Sequence, residues 1–100
     1  MKEFPPQSNQ PFPRESRLKD SEQYLRSLLI KDDTNPYLHY QLAEQCRVNH
    51  RPRLAIFHYE SALDLNLPAP ASTEARICLG FIYLTLGHRE KAEEVLLQIQ

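Results

Sequence analysis

Residues able to do chemistry are sparse in this chain, and their spacing decides what they can do. Cys46 and His50 stand four apart, which on a helix would turn both toward one ion, with His39, His58 or Cys78 as further ligands. No Cys-x-x-Cys or His-Glu-x-x-His accompanies them. Cys46 also falls where a small buried hydrophobe is expected, and His50 where a turn closes. A metal site and a cofactor are therefore not expected. Nor is a Cys46–Cys78 disulfide. On neighbouring parallel helices the two would be offset by roughly 7 Å along the axis, on top of the roughly 8–10 Å between packed axes, beyond disulfide reach. Arg51-Pro52-Arg53 and the pair Arg89/Lys91 make small basic spots, and Asp32-Asp33 and Glu93-Glu94 small acidic ones. At helix ends and turns such charges read as ordinary solvated groups. There is no nucleophile motif, no phosphate loop and no matched acid–base pair, so catalysis is not expected.

Composition narrows the class. One hundred residues allow one small domain, and 41% apolar content is ordinary for a globular chain. Two glycines argue against a β-rich fold, which needs several tight turns. A net charge of −1 leaves no electrostatic footprint for nucleic acid or an acidic membrane. No stretch is long and apolar enough to span a bilayer. The first residues lack the apolar run of a secretory signal, and two cysteines suit a reducing compartment. The expected location is cytoplasmic.

These residues must be carried by helices. Residues 1–14, with Pro5, Pro6, Pro11 and Pro13, read as a disordered or polyproline-like tail, whose Phe4 or Phe12 could alternatively pack back on the domain. Leu18, Leu25, Leu28 and Leu29 share a helical face and predict a helix over about 16–31, with Asp20 and Gln23 resembling a capping box. Asn35-Pro36 signals a second helix, running to about Asn49. Pro52 opens a third, to about Leu65, with Ala55, Tyr59 and Ala62 on one stripe and Ile56, Leu63 and Leu67 on another. A helix apolar on two sides is sandwiched between neighbours. Residues 66–72 form a linker, and Ser72 or Thr73 is expected to cap a fourth helix running to Leu86. Gly87 supplies its left-handed stop. A fifth begins near Arg89 and buries Ala92, Val95, Leu96 and Ile99.

Sliding the second and third helices 37 residues along the chain lays Leu42-Ala43 on Leu79-Gly80. Cys46 then meets Tyr83, His50 meets Gly87, Ala55 meets Ala92, and Tyr59 meets Leu96. Small residues let antiparallel helices approach, and large ones fill the gaps between turns. This register resembles the tetratricopeptide repeat. The resemblance covers about Ser16 to Gln100 and implies an all-α fold. Antiparallel helical hairpins would stack as a short right-handed superhelix of about five helices: a partial unit over 16–34 and units over 35–69 and 72–100. His39 and Arg76 stand where the family usually has a large aromatic, His50 replaces a turn glycine, and the linker lengthens the period.

By the same resemblance, the first helix of each unit forms an inner face that receives a protein or peptide partner. Here that face would carry Tyr37, Tyr40, Glu44 and Arg47, then Ile77, Phe81 and Leu84. Ile77, Phe81 and Leu84 make an apolar stripe that calls for a cover, either a partner or this chain's own first helix or tail. The implied function is a non-catalytic adaptor or small chaperone binding a peptide or helix. Tyr40, Glu44, Ile77 and Phe81 occupy the positions where some members hold a carboxylate with lysine and asparagine, so that mode is not expected. The alternative is a structural subunit that forms a homodimer or joins an assembly through Val95, Leu97 and Ile99 of the uncapped last helix.

Overall fold

Asn35 and Pro36 act as their types require. The Asn35 side chain accepts the Tyr37 N–H at 2.9 Å, and Pro36 occupies the first helical turn, where no donor is needed. The computed structural model describes residues 14–99, with side-chain surroundings from residue 21 onward. Five helices follow in order: α1 (Arg14–Lys31), α2 (Pro36–Val48), α3 (Pro52–Asp64), α4 (Ala71–Thr85) and α5 (Arg89–Leu96). Each packs on the next, α1 on α2, α2 on α3, α3 on α4 and α4 on α5. Short turns between them give stacked helical hairpins. The expected tail falls outside the described residues except for Arg14, which already belongs to α1.

The helix stops repeat along the chain. After α2, His50 adopts φ 63°, its N–H bonds the Arg47 carbonyl at 3.1 Å, and the Arg51 N–H bonds the Cys46 carbonyl at 2.8 Å. After α4, Gly87 adopts φ 85°, its N–H bonds the Leu84 carbonyl at 3.1 Å, and the His88 N–H bonds the Tyr83 carbonyl at 2.8 Å. These are the same left-handed stops, satisfying carbonyls the helix leaves open. Asn66, at φ 65°, ends α3 likewise, and the buried Leu67 that follows pins the linker to the core.

The core runs through both hairpins: Leu42, Ala43, Cys46, Tyr59, Leu79 and Tyr83 are buried, with Ala55, Ala62 and Ala92 at the close approaches. Gly80 shows why one position must be small. A Cβ added there would lie 2.6 Å from Leu96 Cδ2, so α4 and α5 pack through bare backbone.

Three boundaries differ from the sequence reading, the first being that α1 begins at Arg14, ahead of the Asp20–Gln23 pair. Neither Ser72 nor Thr73 caps α4. The helix starts at Ala71, no side chain caps it, and Ser72 is buried in its first turn. The linker already turns helically there, so carbonyls of Pro68 and Pro70 accept the Ser72 and Glu74 N–H groups at 3.0 and 3.1 Å. The last helix ends at Leu96, which leaves Ile99 beyond it.

Candidate interaction face

Helix periodicity on α2 and α4 brings the residues proposed for the inner face to one side, but not to equal exposure. Tyr37, Ile77, Phe81 and Leu84 are exposed, Phe81 at 62%. Tyr40 is half-buried against the core, its ring 6.2 Å from that of Tyr59. Glu44 is also turned inward. It accepts the Tyr59 hydroxyl at 2.6 Å and the Arg47 guanidinium at 2.6 Å, and Arg47 Nε donates to the same hydroxyl at 3.2 Å. Tyr59 is fully buried, and burial followed by the Glu44 carboxylate pushes its pKa far up. Glu44 thus satisfies a buried hydroxyl rather than standing ready for a partner.

Beside this network lies a cleft of about 290 Å³ lined by Arg47, Pro52, Cys78, Phe81, Ile82 and Thr85. It has an apolar wall from α4 and one cation at its edge. The Cys78 thiol donates weakly to Glu44 at 3.9 Å, and burial pushes its pKa up. A thiol held protonated is a packing group rather than a nucleophile. Among the described residues no group of three or more His, Cys, Asp or Glu is arranged to hold a metal ion, and Cys46 and Cys78 are free thiols.

The three residues expected to form an assembly face are divided. Leu97 is 78% exposed, whereas Val95 packs against the core and Ile99 is half-buried. Two positions apart on a helical turn, Val95 faces the core and Leu97 faces outward.

Two polar clusters were not legible from spacing. Glu22 of α1 is only 2% exposed, yet accepts from Arg26 at 2.6 Å, Asn49 at 2.9 Å and Arg51 at 2.8 Å. Burial would raise its pKa, but the hydrogen bonds from Arg26 and Asn49 and the charges of Arg51 and Arg26 outweigh it, and the pKa is lowered. Arg51 is therefore not merely a solvated turn charge: it ties the α2–α3 turn to α1. The second cluster is a histidine pair. His39 and His58 are buried with their Nδ1 atoms 3.2 Å apart, and His39 Nε2 lies 3.1 Å from the Asp33 carbonyl. That carbonyl only accepts, so His39 Nε2 carries the hydrogen. With that hydrogen on Nε2, His39 Nδ1 can accept the Nδ1–H of His58. Burial, then His39 and Arg26, hold the His58 pKa down at about 4. A buried polar residue at an expected large aromatic position, His39, was the one available signal.

No helix among the described residues is long and apolar enough to cross a membrane. No protein-family model matches the chain, and comparison with curated proteins and with solved structures returns no match.

Proposed function

We propose that this chain is a non-catalytic protein-interaction module that receives a peptide or helix of a partner protein across α2 and α4. The observation that carries this reading is the exposed stripe of Ile77, Phe81 and Leu84 beside the Arg47–Cys78 cleft. Aromatic and aliphatic groups flanking a partly apolar cleft are the usual anchors of such contacts. Tyr37 and Arg47 offer polar contacts at the edges, while Tyr40 and Glu44 support the floor. The stacked hairpins and the tetratricopeptide-like register favour the same use of this face.

The test compares full-length bait proteins in a native extract. Phe81→Glu should lose a captured partner by at least about tenfold, the scale of a removed anchor, with helical circular dichroism unchanged. Phe57→Ser, on α3, should retain it. Equal capture by Phe81→Glu removes the groove from consideration.

A second reading rests on Leu97, an isolated exposed leucine on the last helix. If it mediates self-association, light scattering shows a dimer that Leu97→Glu converts to monomer. A monomer at high concentration overturns it.

A further inference from the structure

The two unforeseen polar clusters sit at one joint. Glu22 and Arg26 come from α1, His39 from α2, Asn49 and Arg51 from the α2–α3 turn, and His58 from α3. A cleft of about 380 Å³ opens onto His58 between Arg26, Leu29 and Ile30 of α1, Asp33 of the following turn, and Leu42. The last turns of α1 therefore wall His58. Apolar support for α1 is thin by comparison: Leu25 and Leu29 are only partly buried.

We infer that α1 docks through an acid-labile joint, held at neutral pH by the His39–His58 pair and the Glu22 carboxylate and released on acidification while α3, α4 and α5 stay folded.

Geometry supplies both halves. The pair shares one Nδ1–H between two Nδ1 atoms, because His39 Nε2 is committed to the Asp33 carbonyl. A proton added to His58 leaves a cation walled by Arg26. The charged groups around the pair are Arg26 and Glu22 on α1, and Asp33 lines the same cleft. Around Glu22 stand Arg26, Arg51, Asn49 and the buried Cys46 thiol. Protonating Glu22 leaves Arg26 and Arg51 cationic at the joint with no carboxylate between them.

Both titrations push the same way. The pKa of His58 is about 4 when docked, and losing the part of its burial that α1 supplies raises it, so the undocked state binds more protons. Docking is thus at full strength above the undocked value and weakens as pH falls toward about 4. Burial is the largest cause, and α1 supplies part of it. The His39 contribution lies between α2 and α3 and persists when α1 leaves. The lowered pKa of Glu22 adds a second loss as pH falls from its ordinary 4.5 toward its docked value.

The experiment is an amide NMR titration of the full chain from neutral pH to about pH 4, reading residues 21–31 against Leu79, Tyr83 and Ala92. The α1 signals should move to unfolded positions while the α4 and α5 signals stay dispersed. His58→Leu removes one titration and should lower the α1 midpoint by about one pH unit. Glu22→Gln removes the carboxylate and should raise it or undock α1 at neutral pH. Because either variant could perturb packing, both are read against the α4–α5 signals of the same sample. A single midpoint shared by all helices overturns the proposal, as does an α1 midpoint unmoved by both variants.

Discussion

The two hairpins share a backbone pattern and differ in what fills it. The α2–α3 hairpin is flanked by α1 and α4, whereas α4–α5 packs mainly against α3 among the described helices. Where the first holds Ala43 and fully buried Tyr59, the second holds Gly80 and half-buried Leu96. The smaller residue on α4 does not loosen the contact, because Leu96 moves into the space the missing Cβ leaves. Large and small residues thus act as a complementary pair that can be exchanged, so long as the helices meet. Polar chemistry at these two equivalent positions is not shared. The Tyr59 hydroxyl has Glu44 and Arg47 as partners, and Leu96 has no such group to satisfy. The α2–α3 contact carries a buried hydrogen-bonding group, whereas the buried Tyr83 hydroxyl of α4 bonds back to Glu60 of α3.

The largest effect expected from this comparison comes from emptying the two equivalent positions. Tyr59→Ala opens a cavity and takes away the hydroxyl that Glu44 and Arg47 share, and should cost about 3–5 kcal/mol in urea unfolding. Leu96→Ala, at the half-enclosed site, should cost about half of that or less. Equal costs would mean that enclosure does not distinguish the hairpins. Exchanging the small residues comes next. Gly80→Ala gains about 1 kcal/mol of helix propensity but overpacks Leu96 by about 1–3 kcal/mol, for a net loss on the order of 1 kcal/mol. Ala43→Gly should lose about 1 kcal/mol through propensity alone. A stabilised Gly80→Ala would show that α5 simply shifts aside. The smallest effect is at the turns. His50→Gly relieves a left-handed residue bearing a Cβ and should stabilise by about 1 kcal/mol or less, while Gly87→Ala should destabilise by about 1–2 kcal/mol. Opposite signs in the two melting temperatures would confirm that one backbone stop serves both hairpins.

Much of the architecture was legible because it rests on local signals. Asn35-Pro36, Pro52 and Gly87 state where helices begin and end within a few residues, and the Ala43/Gly80 register states which faces meet. The exposed Ile77–Phe81–Leu84 stripe followed from the same periodicity. What was missed depends on contacts between helices. The His39–His58, Glu22–Asn49 and Glu22–Arg51 bonds join residues 19, 27 and 29 apart, and their formation depends on how each helix is rotated about its axis. Period alone places Glu22 and Glu44 on a face but not at a depth. A capping serine at Ser72 was a reasonable local signal that lost to the linker carbonyls. Leu97 separates from Val95 because two residues of helix turn through about 200°, which sends the two side chains to opposite sides.

Two tyrosine hydroxyls end on glutamates of a preceding helix: Tyr59 of α3 on Glu44 of α2, and Tyr83 of α4 on Glu60 of α3. With no tryptophan in the chain, its near-ultraviolet absorbance belongs mainly to five tyrosines. Tyr24 and Tyr37 lie in solvent, while burial and a facing carboxylate hold the Tyr59 and Tyr83 phenols protonated well past the ordinary range. Alkali should therefore convert the Tyr59 and Tyr83 phenols to red-shifted, more strongly absorbing phenolates only as the helix junctions part. The helix stack carries its own optical gauge of whether its layers are still in contact.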